Sequence, residues 1–596
     1  MHPDAQKFTN ATFARIFYEI GAMMELKGES PFKVRAYRAA AETFANLHED
    51  LKQIWHEGRV GDLPGVGKAI SDKVNELMTT GNLRFYEKLK DEVPASLIAV
   101  TEIPHVGAKK AMHLYKTLGI ANIDDLQKAI ESGGLLTVPG FGAKTVEIIK
   151  DGLETVQKRS FEKRDLLGVA LPIARGIVAQ MRAQCKTLDK LEVAGSIRRW
   201  KSTIGDMDFL ATATDVNEVL DCFVNLPIVG RVDGRGANKA TVLLNNGLQV
   251  DLYVMDPKYY YSLLQHFTGS RDHNIALRDR AIKMGLKLNE YGLHRTDGTA
   301  LEIKDEADIY RALGLDWMPP EMRENRGEIE AAAKGTLPKL VEESDIKGDL
   351  HCHSTWSDGT ESILAMARGA KAKGYEYMAI TDHSQSLTIA RGLTVERLRE
   401  QRKEIEEAQE KIGGGFRIFH GIELEIKTDG TLDFPDEVLE WLDIVIASIH
   451  NGLRQPGEEV TRRALNAVRN PHVDILGHPT GRLINHREPS DMDVDAVIRE
   501  AARTGAVMEV NASPERLDLD DVYIRRAMDV GCLLSIDTDA HSQSNYDLME
   551  YGVHTARRGW ATADRIITTW PLKKLEAWLK QIRSQSRVEF KKEAFQ

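Results

Sequence analysis

The sequence predicts a multidomain chain with an α-helical N-terminal region, an α+β centre and a C-terminal α/β barrel. Three observations carry this. The 596 residues exceed what one ordinary core organises. Residues 1 to about 155 read as short helices parted by Gly-rich turns, whereas 160–315 alternate strand-like with helical runs. From 347 onward apolar runs alternate with amphipathic helices, and run after run ends in a polar or ligand-type residue, the habit of barrels that place chemistry at strand C-termini.

At 42% hydrophobic and 28% charged, the composition is that of a soluble globular protein. No apolar run approaches a membrane span and the N-terminus lacks a signal-peptide core, so the expectation is a cytoplasmic chain without a membrane partner. The four cysteines (Cys185, Cys222, Cys352, Cys532) show neither zinc-finger nor disulfide spacing, which fits a reducing compartment. The net charge of −11 argues against a nucleic-acid partner only until it is divided: residues 1–340 sum to 0 and 341–596 to −11. The acidic excess belongs to the C-terminal part, where carboxylates can hold cations, while the first part keeps basic clusters such as "PFKVRAYRAA".

In the helical region one pattern recurs: "LPGVGKAISDKV" at 63, "IPHVGAKKAMHL" at 103 and "VPGFGAKTVEII" at 138. Each is apolar, Pro, any residue, apolar, Gly, then a helix. The glycine permits close approach, and the free N–H groups of the helix start can receive a phosphate. One copy would be an ordinary helical turn. Three copies, each with a lysine in or just after the turn, favour a DNA grip and resemble the helix-hairpin-helix family of DNA-backbone binders. The candidate contacts are Gly65, Gly67 and Lys68, then Gly107 and Lys109, then Gly140, Gly142 and Lys144. Such contacts hold DNA without reading its sequence.

The central region holds "VAGSIRRWKSTIGDMDFL", with Asp206 and Asp208 two apart on a strand and facing the same way. Asp251, in "LQVDLYV", lies in another strand that could pair alongside. Three carboxylates on one sheet face can bind two Mg²⁺ ions, one activating a 3′-hydroxyl and the other holding a triphosphate. A lone Asp-x-Asp would be surface acids; the Gly195-Ser196 turn before it and the later Asp251 make the set specific. This order resembles the nucleotidyltransferase core of the family X DNA polymerases, the DNA polymerase beta family. The resemblance implies a palm in which Asp206, Asp208 and Asp251 are catalytic and hold Mg²⁺, for which Mn²⁺ can substitute. Arg164 of "FEKR", Gly195, Ser196 and Arg199 would meet the nucleotide's triphosphate. "HFTGSRDHNIALR" matches the segment that closes on the nascent base pair, putting Phe267, Thr268 and Gly269 at the sugar and Asn274 and Arg278 at the nucleotide edge and template. Glu290 of "LNEY" would partner arginines. Two departures stand out: His266 replaces the usual Tyr before Phe267, and Arg271 stands where other members carry an acid, adding attraction for the nucleotide. At the N-terminus Lys73 falls on the family's Schiff-base nucleophile, with Lys33, Tyr37 and Lys68 in place but Gly61 and Ala69 where the family has lysines. A DNA-contacting or solvated lysine is the competing reading.

In the C-terminal region "GDLHCHSTWSDG" carries His351 and His353 on one face of an extended run, with Asp358 in the following turn. His383, Glu423, His450, His478, Asp539 and His541 follow at the ends of later runs. Isolated histidines at strand ends are usually satisfied locally; nine such groups at successive ends point to metal. Mixed imidazole and carboxylate ligands suit Zn²⁺, Mn²⁺ or Fe²⁺. The order resembles the PHP (polymerase and histidinol phosphatase) family, a distorted seven-stranded (β/α)7 barrel with three ions. The resemblance assigns His351, His353, Glu423 and Asp539 to the first ion, Glu423, His450 and His478 to the second, and Asp358, His383 and His541 to the third. Clustered metals suit phosphoester hydrolysis, since they activate water and polarise the phosphoryl group. His420, His472, His486 and His554 fit no ligand role, and Cys352 should face away.

The expected domains are a lyase-like domain at 1–90, a hairpin domain at 91–158, a palm at 159–258, a nascent-base-pair subdomain at 259–316, a linker at 317–346 and a PHP domain at 347–580. The resemblances together imply a monomeric DNA polymerase acting on gapped or primed DNA with dNTPs in base excision repair. Its second site would act as a 3′–5′ exonuclease, an AP endonuclease or both. Two rivals are another nucleotidyltransferase fused to a phosphatase, and a DNA-binding scaffold without catalysis.

Overall fold

A computed structural model of the chain describes residues 10–45, 51–63, 65–101, 103, 106–142, 145–150, 153 and 164–581. The chain forms two compact units, Met1–Lys163 and Arg164–Gln596. The predicted architecture of helical N-terminus, mixed-sheet centre and C-terminal barrel is borne out.

The first unit is helical, from Asn10–Leu26 to Ile123–Glu131. Its helices bury one apolar face each, and Phe13, Phe17, Ile20, Phe44, Val74 and Leu114 meet in a shared core. The Phe17 and Phe44 rings pack edge to face at 5.1 Å. The three sequence copies share one local geometry. Val66 N donates to Leu63 O (3.1 Å), Val106 N to Ile103 O (2.9 Å) and Phe141 N to Val138 O (3.1 Å). In each copy the apolar residue is buried and the glycine after it opens the next helix. Lys68–Thr80 and Ala108–Leu118 begin at Gly67 and Gly107 with no side-chain cap, so their first N–H groups stay available. Lys144 lies outside the described residues.

The second unit opens with a five-stranded sheet, edge to edge Leu188–Val193, Asp206–Ala213, Gln249–Val254, Lys239–Leu244 and Val229–Arg235. Alternation puts Met207, Phe209, Val250 and Leu252 into a core against helix Leu167–Gln184. Helices Tyr260–Thr268 and Arg271–Lys283 and a two-stranded hairpin follow.

Residues 317–346, expected as a linker, are folded onto their neighbours. Met318, Ile329 and Ala332 pack with Leu277 and Leu288, and the wholly buried Arg323 reaches Glu306 at 2.5 Å. Four of its charges, Glu321, Arg323, Glu324 and Glu328, are drawn into internal ion pairs, while Glu330, Lys334, Lys339, Glu342 and Glu343 stay exposed.

Seven strands, from Gly348–Asp349 to Leu534–Asp537, then run parallel in chain order. The first and last edges meet through a bridge between Cys352 and Ala540, where His353 N donates to Ala540 O at 2.8 Å. This closure makes a barrel whose strand ends converge. Gly421, mid-strand, is packed so tightly that a Cβ would lie 2.6 Å from Ile444 Cγ2 and 2.9 Å from Ile444 O. Gly421→Ala is expected to destabilise the barrel by about 1–3 kcal/mol, because backbone cannot retreat. Gly414→Ala, in open space, is the control. Equal denaturation midpoints for the two variants would refute the packing argument.

Two candidate active sites

In the palm, strands Asp206–Ala213 and Gln249–Val254 pair in parallel with Asp208 directly opposite Asp251. Asp206 stands two residues earlier on the same face, exposed at the strand's start. The predicted acids are therefore brought to one sheet edge. Burial, reinforced by the neighbouring charges of Asp206 and Asp251, pushes Asp208 up to about 7, which marks a place where a cation would be favoured. Lys239 Nζ (3.1 Å) and the Thr241 hydroxyl (2.5 Å) hold Asp251. Gly195 is left-handed at φ 63°, and a Cβ there would sit 3.0 Å from Asp208 Oδ2. The glycine thus lets the turn carrying Ser196 lie against the acids.

Arg164 is pinned beside them, donating to Thr203 Oγ1 (2.9 Å) and Thr203 O (2.7 Å). Arg199 binds Glu324 (3.1 Å) and the Thr268 carbonyl. Phe267 packs on Tyr253 at 4.6 Å and Gly269 abuts Arg199. Two predicted nucleotide contacts are turned inward: the Thr268 hydroxyl donates to Leu264 O (2.6 Å), and both ends of the Asn274 amide are taken by His266 O and Gln265 (2.7 Å each). Arg278 donates to Asn274 O at 3.2 Å, and Arg271 is exposed at the start of its helix. Lys73, in the first unit, lies over the rings of Phe85 (4.8 Å) and Tyr37 (5.8 Å) and reaches Ala69 O (3.3 Å).

At the barrel mouth all nine predicted ligand residues come together. His353, Asp358, His383 and His541 form one cluster, His351, His353 and Asp539 a second, and His383, Glu423 and His450 a third. Bonds of 2.0–2.1 Å to a shared first-row ion put neighbouring ligand atoms about 3.0–3.4 Å apart. Four separations match, His353 Nε2 to Asp539 3.0 Å, His351 Nε2 to Glu423 3.4 Å, His383 Nε2 to Asp358 3.4 Å and His450 Nε2 to Glu423 3.2 Å, while His353 Nε2 to Glu423 and His351 Nε2 to Asp539 are wider at 3.6 and 3.7 Å. His478 Nε2 reaches the same Glu423 oxygen as His450, at 2.9 Å.

Alignment says more than distance. His383 Nδ1 and Glu423 Oε2 are 2.7 Å apart, yet neither makes a hydrogen bond, and the buried His351 Nε2 and His353 Nε2 also have none. Unpaired polar atoms at this depth are costly, so their common aim fits a shared cation. The buried Glu423 and the partly buried Asp358 and Asp539 are held well below the usual carboxylate range, against their desolvation, by facing imidazoles. His478 (φ 24°) and Asp539 (φ 56°) occupy strained backbone, the kind that persists at functional sites.

The residues that orient these ligands escaped the sequence reading. Glu509 holds His351 Nδ1 at 2.6 Å and Glu425 holds His450 Nδ1 at 2.7 Å, each turning Nε2 inward. Asp382 accepts from Ser354 N (2.8 Å) and Ser357 N (3.1 Å), shaping the loop that presents Asp358. Glu425 was within reach, two residues after Glu423 on the same strand face. Cys352 points into the helix layer with Ile363 and Met378, as expected.

Family models for a helix-hairpin-helix domain (residues 8–83), a SAM-like helix-hairpin-helix tandem (97–155), a DNA polymerase beta thumb (263–324) and a PHP domain (349–513) match the chain. Asp539 and His541 lie beyond the last match, so geometry joins them to the barrel site. The DNA polymerase/3′–5′ exonuclease PolX of Bacillus subtilis (strain 168) is 39% identical over 570 residues, 95% of this chain and 98% of the relative. A probable phosphatase of Thermoanaerobacter sp. (strain X514) is 28% identical over 244 residues, 39% of this chain and 94% of the relative.

Proposed function

The chain belongs to the family X DNA polymerases of the PolX type, which join helix-hairpin-helix, polymerase and PHP domains, and from this we propose that it fills short DNA gaps and trims 3′ ends. The observation that carries the reading is one chain holding two separate sites: acids paired in register in the palm, and a closed barrel whose ligands converge on Glu423. When bound, Mg²⁺ in the palm and first-row ions in the barrel would supply charge neutralisation and water activation. Asp206, Asp208 and Asp251 place that charge at the primer end, with Arg164, Gly195, Ser196, Arg199 and Arg271 receiving the triphosphate and Phe267, Thr268, Gly269, Asn274 and Arg278 shaping the nucleotide and template side. In the barrel His351, His353, Asp358, His383, Glu423, His450, His478, Asp539 and His541 hold the ions, and Glu509 and Glu425 fix two ring orientations. Processing of abasic sites, work in base excision repair and a lyase role for Lys73 extend the proposal.

Among the described residues no helix is long and apolar enough to cross a membrane. The test is a gapped duplex with a matched or mismatched 3′ terminus. The proposal expects extension of the first and trimming before extension of the second; extension of neither sinks it.

The uncapped helix starts at Gly67 and Gly107 would give a phosphate grip independent of base identity. Lys109→Ala is expected to weaken gapped-DNA binding equally across sequences and to lower the slope of log affinity against log salt by about one. Anisotropy titrations at several salt concentrations check this, and an unchanged slope would rule the contact out.

A further inference from the structure

Palm and barrel meet through a chain of buried charge that neither reaction accounts for. Asp521, at the start of the barrel helix Asp521–Val530, binds Arg558, which closes the barrel helix Met549–Arg558, at 2.6 Å. The Arg558 side chain is only 4% exposed. It donates to Glu324 Oε1 at 3.1 Å and to the backbone carbonyl of Arg199 at 2.6 Å. The same Glu324 oxygen accepts from Arg199 Nε at 3.1 Å. Beside this chain the next palm residue, Trp200, is held at φ 54° and stacks on His554 of the same barrel helix, 3.6 Å between ring centres and 4° from parallel. His554 Nδ1 is fixed in turn by Glu321 at 2.8 Å. The backbone of Arg199 is therefore held directly by a helix more than 340 residues away in sequence, and its guanidinium, which also donates to the Thr268 carbonyl, is tied to that helix through Glu324.

We propose that Arg558, a residue of the hydrolytic barrel, is a positioning residue for nucleotidyl transfer: it sets Arg199 against the incoming triphosphate. A planar guanidinium meets phosphate oxygens only over a narrow range of orientations, so losing its backbone anchor weakens nucleotide capture more than chemistry. The proposal rests on the reading of Arg199 as a triphosphate contact. Arg558 touches none of the nine barrel ligands, so hydrolysis is independent of it.

The experiment uses the full chain and three variants, Arg558→Leu, Arg558→Lys and Arg199→Ala. Nucleotide KM and kcat for gap filling, 3′ trimming and bound metal are measured on the same preparations. Arg558→Leu is expected to raise nucleotide KM about ten-fold with kcat changed less than about two-fold, while trimming and metal content hold. Arg558→Lys, which keeps the charge facing Glu324, should recover part of the loss and serves if the leucine variant does not fold. If Arg199→Ala raises KM but neither Arg558 variant does, the proposal is overturned and the reading of Arg199 stands. If Arg199→Ala leaves KM unchanged, the triphosphate reading fails and takes the proposal with it. Equal losses of extension and trimming in both Arg558 variants would show a structural role only, and would also overturn it.

Discussion

Asp208→Ala is expected to lower primer extension by about a thousand-fold or more while 3′ trimming of the same duplex continues. The size of the effect follows from where the side chain stands. It faces Asp251 across a parallel strand pair, with Asp206 two residues away and Gly195 admitting its carboxylate into the turn. Removing it takes away the acid that the others are arranged around, so the charge that would hold two divalent ions drops where it is most concentrated. Asp208→Asn keeps shape and burial and is expected to do as much harm, since the loss is of charge and not of packing. Folding should not suffer: the half-buried carboxyl is pushed up towards neutrality by its surroundings, which means that its charge opposes the fold. The measurement is extension of a one-nucleotide gap alongside trimming of a mismatched end. Retained extension by either variant would exclude Asp208 from the chemistry.

The parts of the molecule that sequence made legible are those with local periodic signatures. Three hairpin copies were readable because a buried apolar residue followed by glycine is a local requirement, and Val66, Val106 and Phe141 meet it in the same way. The barrel was readable because its strands, Val507–Asn511 excepted, are short runs that carry or lead into a ligand, and chain order equals strand order. What stayed hidden depends on contacts between distant stretches. Strand Val229–Arg235 is mostly exposed and polar, so neither alternation nor apolar run marks it. Residues 317–346 looked like a connector because nothing in the sequence says that Arg323 will meet Glu306 or that Arg558 will meet Glu324. Ligands announced themselves by residue type, but Glu509 and Asp382 lie in runs where an acid has many other uses. The thumb shows the opposite limit: Thr268 and Asn274 are where the motif puts them, yet their polar ends bond within the protein.

Glu423→Gln is expected to abolish 3′ trimming, by about a thousand-fold or more, and to leave gap filling intact. Glu423 is the residue on which the barrel site turns. One oxygen receives His450 (3.2 Å) and His478 (2.9 Å), while the other lies near His351 (3.4 Å), His353 (3.6 Å) and His383 (2.7 Å). An amide there presents a neutral oxygen or an N–H to imidazoles arranged around an anion, so ions that depend on it should be lost. His353→Ala, which removes a ring shared by two of the clusters, is expected to reduce trimming and metal content as well. Metal analysis after gel filtration reads the first effect without turnover, and end-labelled gapped DNA reads the second. The two sites share no ligand, so extension with Mg²⁺ should proceed in both variants at the unaltered rate, stopping only at mismatched ends that the barrel would otherwise remove. Trimming at the normal rate in Glu423→Gln, or its loss together with extension, would mean that the nine residues do not form an independent hydrolytic centre.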